Sequence, residues 1–336
     1  MMDKLQVLLL GVGNFGASWA AEVIPACMDV CTFAAAVDRQ PDRLAHVPEG
    51  VACFMDLDAA LEKVRPQLVI NVTPPHLHTE HNLHLLSLGY PVLCEKPIAD
   101  NEKDAEALFA YYQANGGFLM IGDNYRYAPV FRECRRIIKS GTIGAIHSVQ
   151  CHFRRCHPDF SAYYHGKLAQ PLLTDVTVHH LDVARYLMGD EPVQTCCETW
   201  DAPHSWYGHR PANATIQSKT SKGIHFSYFG TLAAPASTTD WNGDWDIECD
   251  GGVLQIRKSQ LSLYAQPDGE PTSIPLAKGE TESRIPMLKE AISALQAGRK
   301  AESDLADNIK TYRWLQSAIV SSENRKELGT CSSETF

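Results

Sequence analysis

Apolar runs and helical periods alternate along the first third of the chain. Residues 4–10 are a leucine-rich run with one valine, suited to a parallel strand buried on both faces. Residues 17–24 then read as an apolar helix, ended by Pro25. Further buried strands are expected over 32–37, 68–72, 92–94 and 118–121, with helices over 77–88 and 101–115 between them. Strand and helix in strict alternation predict an α/β unit with a doubly wound parallel sheet.

The pattern changes after residue 124. Residues 125–140 read as a linker leading into a helix. Over 146–156 the chain alternates, with Val149, Cys151 and Phe153 on one face and Gln150, His152 and Arg154 on the other, as in a half-buried strand. Residues 174–182 read as a helix start. Leu181, Ala184, Leu187 and Met188 recur at helical spacing and would bury one side, and Gly189 stops the run. Strand patterns follow over 193–200, 212–219, 224–232, 246–249, 253–256 and 260–264. Asp250-Gly251-Gly252 and Pro267-Asp268-Gly269 supply turn signals. Helices over 283–297 and 303–323 close the fold, and 329–336 look like a loose tail.

A length of 336 residues suits two domains, each with its own core. The net charge of −10 disfavours a nucleic-acid partner, because phosphate binding needs a basic face. Residues 1–10 lack the long apolar core of a signal peptide, and no stretch approaches the ~18 apolar residues of a membrane span. Eleven scattered cysteines without paired CxxC spacing read as reduced thiols of a cytoplasmic protein, not as a disulfide framework.

The first strand runs straight into Gly11-Val12-Gly13-Asn14-Phe15-Gly16, a GxGxxG in strand–turn–helix context. Gly11 permits the tight turn, Gly13 lets a pyrophosphate approach, and Gly16 lets helix and strand pack closely. The second strand ends in Asp38, 22 residues after Gly16, where an acidic residue binds the adenosine ribose. A carboxylate there repels a 2′-phosphate and favours NAD. Arg39, the next residue, keeps NADP open. Thr73-Pro74-Pro75-His76-Leu77-His78 forms a loop at the end of a parallel strand, where open α/β sheets bind ligands. His76, His78, His81 and His84 match no zinc spacing, so no metal is expected, and His81 and His84 are placed on a helix surface. Glu95-Lys96-Pro97 ends another strand, and the proline holds Lys96 extended.

Asp175 and His179, four apart, would share a helix face with Asp182, and an imidazole between carboxylates is a usable proton-transfer unit. The plainer reading has Asp175 as a helix cap and His179 as an ordinary half-buried histidine. Arg154, His157 and Lys167 flank a basic, aromatic loop containing Tyr163, Tyr164 and His165. It suits either an anionic or hydroxylated ligand or a subunit contact. Residues 201–211 and 233–245 are aromatic-rich loops, fit for stacking on sugars or for packing.

Taken together, the first 190 or so residues resemble the Gfo/Idh/MocA (glucose-fructose oxidoreductase / inositol dehydrogenase) family. The resemblance rests on the GxGxxG, Asp38-Arg39, Thr73-Pro74-Pro75 with His78, and Glu95-Lys96-Pro97. It continues through Asn124-Tyr125-Arg126 with Pro129, residues 139–144, and Asp175-x-x-x-His179 with Leu181-Asp182 and Gly189. It implies a Rossmann domain, placed here at 1–124, and an α+β domain at 125–336 built on a large, mostly antiparallel sheet that binds substrate and forms a homodimer or homotetramer. It also implies a nicotinamide cofactor and a sugar or polyol substrate. By position, Lys96, Asp175 and His179 match the family's catalytic lysine and its aspartate–histidine pair. Thr177 departs from the family, which commonly has glycine there.

The expected cofactor contacts are Gly11, Gly13, Asn14, Phe15, Gly16, Asp38, Arg39, Thr73, Pro74, His78, Glu95 and Lys96. Lys96, Tyr125, Arg154, His157, Asp175 and His179 are the expected substrate contacts. The expected activity is hydride transfer between NAD(P) and a sugar, polyol or sugar-acid hydroxyl, with His179 as base, Asp175 orienting it and Lys96 beside the alkoxide. NAD-dependent glycoside hydrolysis, an NADPH-dependent reductase and a non-catalytic NAD-binding regulator are the alternatives.

Overall fold

The computed structural model describes residues 4–157, 168–265, 269–277 and 282–324. Two compact units result. The first comprises residues 1–142, 178–187 and 274–313, and the second 143–177, 188–273 and 314–336.

The first unit is built on six parallel strands: β1 (Leu5–Leu10), β2 (Cys31–Val37), β3 (Ala52–Phe54), β4 (Leu68–Asn71), β5 (Val92–Cys94) and β6 (Leu119–Ile121), in the order β3-β2-β1-β4-β5-β6. The continuous apolar run of β1 serves both faces. Leu5, Val7 and Leu9 enter one core with Trp19, Val23, Phe33, Met287 and Leu288, whereas Leu8 and Leu10 enter another with Leu61, Leu85, Leu108 and Ile309. Helix Arg284–Gln296 therefore packs on the first of these cores, far from its neighbours in sequence. Asn101 caps helix Glu102–Asn115 by accepting from the Asp104 amide, as its position before the apolar period requires.

Pro25 does not end the first helix. The run is α-helical over Asn14–Ser18, π-helical over Trp19–Val23 and α-helical again over Ile24–Ala26. A proline lacks an amide and crowds the carbonyl four residues back, and the widened turn before Pro25 accommodates both effects. The short strand Ala52–Phe54 and the helix Pro41–Leu44 had no clear apolar period, whereas helix Leu57–Val64, also not among the expected elements, carries Leu57, Ala60, Leu61 and Val64 at helical spacing.

The second unit carries β7 (Ile146–Arg154), β8 (Pro192–Trp200), β9 (Asn213–Thr220), β10 (His225–Thr231), β11 (Asp244–Cys249), β12 (Gly252–Arg257), β13 (Gln260–Tyr264) and β14 (Thr272–Ile274), in the order β14-β13-β12-β11-β7-β10-β9-β8. The sheet is mostly antiparallel, with β7 and β10 parallel. Val149, Cys151 and Phe153 are buried as the alternation of β7 predicts. The expected tail at 329–336, part of the Pro267-Asp268-Gly269 turn, and the loop carrying Tyr163, Tyr164, His165 and Lys167 lie outside the described residues. Among the described residues, no helix is long and apolar enough to cross a membrane.

Candidate active site

Strand register alone assembles a row of chemical groups in the first unit. Leu10 pairs with Val37 and with Asn71, Asn71 with Cys94, and Cys94 with Ile121. Two residues beyond these partners stand Val12, Arg39, Thr73, Lys96 and Asp123. All five leave the carboxyl ends of neighbouring parallel strands, the edge at which open α/β sheets bind ligands.

The glycine turn opens the row. Gly11 has φ +93°, and a Cβ there would lie 2.8 Å from the Val72 carbonyl oxygen. A Cβ on Gly16 would lie 2.2 Å from the Gly11 oxygen, so helix and strand approach as closely as glycine allows. A Cβ on Gly13 would meet only the Arg43 side chain, at 3.8 Å, which leaves that side of the turn open. Asn14 and Phe15 are exposed on the turn. Asp38 accepts from the Val12 amide (2.8 Å) and the Gln40 amide (2.9 Å), tying the end of β2 to the glycine turn. Arg39 is exposed, and the guanidinium beside Asp38 is that of Arg43, 3.6 Å away.

The next two loops are tied to each other. Thr73 donates through its hydroxyl to Asn71 (2.7 Å), and Pro74 is exposed beside it. His78 is buried, with Nδ1 at 2.7 Å from the Pro97 carbonyl and Nε2 at 2.7 Å from the Thr73 carbonyl. It spans the loops after β4 and β5, so it supports the site rather than lining it. Burial pushes its pKa down to about 4, against the pull of the two carbonyls. His81 does not lie free on the helix surface. It is half-buried, with Nδ1 at 3.2 Å from the Thr73 hydroxyl, because its turn of the helix faces that loop. His84 does sit at the surface, paired with Asp58.

Glu95 is buried and accepts from Trp19 Nε1 at 2.9 Å. Burial pushes its carboxyl up to about 7, with the neighbouring Lys96 pulling the other way. Lys96 is half-buried. A residue that the pattern did not single out, Arg284, lays its guanidinium 4.7 Å over the Phe15 ring and donates to Ser18 Oγ (2.9 Å).

The row ends at His179, in the first turn of helix Val178–Met188. Its Nδ1 lies 3.1 Å from Oδ1 of Asp123, at ion-pair distance though on a bent approach, and both side chains are buried. The second Asp123 oxygen accepts from Asn308 Nδ2. Burial favours the neutral acid, yet His179, Asn308 and Arg126 together hold the Asp123 carboxyl below the usual carboxylate range. Tyr125 stacks on the imidazole. Asp182 faces elsewhere: Arg126 grips it through two nitrogens, with Thr311 adding a bond, so it belongs to a buried structural network. Its helix is buried all round, not on one stripe: His180 and Asp182 are as inaccessible as Leu181 and Ala184. Asp123 and Asn308 carried no periodic signal. The one cue for Asp123 was a carboxylate two residues past an apolar strand.

In the second unit, Asp175 is half-buried in the π-helical segment Leu173–Thr177. Burial, with the Asp175 charge adding to it, pushes the Tyr207 phenol upward. Thr177 is fully buried and donates to the Tyr228 hydroxyl at 3.1 Å, so the non-glycine side chain is used in packing. Arg154 donates to the carbonyls of Ser237 (3.1 Å) and Ala236 (3.3 Å). The His157 carbonyl accepts from Trp206 Nε1 (2.7 Å), and its ring lies 5.3 Å from Trp241. These aromatic loops are thus packed on one another.

Comparison with known proteins bears on the whole arrangement. A family model described as an oxidoreductase family with an NAD-binding Rossmann fold matches residues 5–123, and the GFO/IDH/MocA C-terminal domain model matches residues 131–255. Inositol 2-dehydrogenase of Gluconacetobacter diazotrophicus is 29% identical over 70% of this chain and 64% of its own length, so the match spans less than two thirds of that enzyme. An oxidoreductase from Agrobacterium radiobacter, solved with NAD+, L-tartaric acid and magnesium, superposes with a TM-score of 0.85 at 22% identity, covering 96% of this chain and 97% of that one. A levoglucosan dehydrogenase solved with NADH and levoglucosan gives 0.84 at 18% identity, covering 96% and 98%. At these identities the two structural likenesses establish the fold.

Proposed function

The chain belongs to the Gfo/Idh/MocA oxidoreductase family, and from that membership we propose that it is an NAD-dependent dehydrogenase oxidising a secondary hydroxyl of a sugar, polyol or sugar acid. The observation that carries the proposal is the row at the strand ends: Lys96 two residues beyond β5 and Asp123, facing His179, two residues beyond β6, both in register with the glycine turn.

The first unit fits the cofactor. Gly11 and Gly16 make a turn that any Cβ would obstruct, and the open side of Gly13 suits a pyrophosphate. Asp38 stands where a carboxylate meets ribose hydroxyls, which favours NAD over NADP. Sequence relatives named as inositol 2-dehydrogenase and levoglucosan dehydrogenase support a polyhydroxylated substrate. When bound, the nicotinamide supplies the hydride acceptor. His179 accepts the hydroxyl proton on Nε2, because Nδ1 faces Asp123. Lys96 places positive charge beside the oxygen as its negative charge develops. Arg154, at the end of β7, is bonded to two carbonyls of the 233–245 loop and holds that loop in place.

Absorbance at 340 nm, with purified protein, NAD and a panel of polyols, sugars, sugar acids and glycosides, tests this reading. Continuing NADH formation from a free alcohol is expected. Sugar released from a glycoside with no net NADH would contradict it and favour hydrolysis through a bound NAD.

A further inference from the structure

His179 is held on two sides by residues that reach it from the segment just after β6. Tyr125 covers one face of the ring, with planes 6° from parallel. Asp123 meets its edge at Nδ1, 3.1 Å away. Asp123 is fixed in turn: its amide donates to the Ile121 carbonyl at 2.9 Å, and its second oxygen is taken by Asn308. Among the described residues, Arg126 is the nearest further charge, itself paired with Asp182 and Asp307, while His180 meets Tyr125 edge-on. A carboxylate buried this deeply costs stability unless charged or donating partners compensate. Its two oxygens take different partners. A neutral amide satisfies one, and the other faces an imidazole nitrogen.

We propose that Asp123 is the positioning residue for His179, accepting from Nδ1–H and so keeping the lone pair on Nε2. The inference rests on the dehydrogenase reading above, in which Nε2 takes the hydroxyl proton. The proton goes from the alcohol oxygen to Nε2. Asp123 gains none, and its charge stabilises the imidazolium that results. This gives Asp123 the orienting role that spacing along the helix assigned to Asp175.

The test uses the full chain labelled with 15N in histidine. The Asp123→Asn, Asp123→Glu and Asp175→Asn variants are compared with the wild type, and His179→Gln assigns the signal. The wild type at pH 8 should show a protonated Nδ1 and an unprotonated Nε2. Asp123→Asn should shift the tautomer and lower kcat roughly 10²- to 10⁴-fold, the scale known for removing such a carboxylate, with KM within a few-fold. The acidic limb of its pH profile should move to lower pH, because an amide does not stabilise the imidazolium. Asp123→Glu should restore the tautomer and part of kcat, and it carries the test if the asparagine variant does not fold. A merely structural Asp123 would move stability but neither tautomer nor pH profile. An unchanged tautomer in Asp123→Asn, or a tautomer that follows Asp175→Asn instead, overturns the inference. A tautomer that depends on Asp123 in a protein forming no NADH upholds the positioning claim and rejects the dehydrogenase reading.

Discussion

Tyr125 lies flat against His179, with ring centroids 4.2 Å apart. An aromatic pair of this kind contributes roughly 0.5–1.5 kcal/mol beyond burial, and here it also fixes the plane of the imidazole. Tyr125→Phe keeps the ring and should hold kcat within a few-fold. Tyr125→Ala frees the imidazole and should lower kcat about tenfold, as a misplacement of that energy would, while NADH binding stays unchanged. Steady-state kinetics with fluorescence titration of NADH separates these outcomes. If Tyr125→Phe instead raised KM sharply, the hydroxyl would be assigned to the substrate.

The glycine turn predicts a contrast between two alanine variants. Gly16→Ala drives a Cβ to 2.2 Å from a backbone oxygen, so both thermal stability and NADH affinity should fall steeply. Gly13→Ala meets only a flexible arginine end at 3.8 Å. It should melt within a few degrees of the wild type yet bind NADH at least tenfold more weakly, because the added methyl occupies the space of the pyrophosphate. Equal NADH affinity in Gly13→Ala and wild type would place the phosphates elsewhere.

Glu95 makes stability depend on pH. Burial pushes its carboxyl up to about 7 from the ordinary 4.5. Between those values the folded chain holds a proton that the unfolded chain has released. The contribution is therefore fully present below 4.5 and is lost as the pH rises through 7. Glu95→Gln stays neutral and still offers Trp19 an acceptor. Urea denaturation should show the variant gaining on the wild type across this window, by up to about 3 kcal/mol. A difference that does not change with pH would show that burial does not govern this carboxyl.

Arg126 and Asp182 form a buried ion pair, joined by Asp307 at 2.9 Å from Arg126. Removing one partner leaves a charge without compensation, which costs about 3–5 kcal/mol. Arg126→Met should be destabilised by that amount in urea, and Arg126→Met/Asp182→Leu should recover a large part of it. A double variant as unstable as the single one would mean that packing, not charge, is lost.

How far the chain could be read in advance follows from what leaves a local trace. The strands of the first sheet stand out because each is an apolar run bounded by turn or helix signals, and the GxGxxG is contiguous. The alternation of β7 predicted its buried face residue by residue. Periodicity does not say what a buried face packs against, so the seating of Met287 and Leu288 on the first core was not legible. Nor was the parallel pairing of β7 with β10, which depends on a crossover of many residues. Asp182 looked like a partner of His179 by helical spacing, but Arg126, 56 residues earlier, claims it. The Asp123–Asn308 contact joins residues 185 apart, and no pattern in either neighbourhood announces it. The π-helical turn at Trp19–Val23 follows from Pro25 only once the helix is known to continue.

The proposed chemistry depends on His179, and the most direct measurement follows NADH formation by the wild type and His179→Ala, each shown by titration to be saturated with NAD. Both should bind the cofactor equally, and His179→Ala should turn over at least about a thousandfold more slowly, the scale of a lost general base. A His179→Ala protein that forms NADH as fast as the wild type would remove the imidazole from the reaction and contradict the proposed function's mechanism.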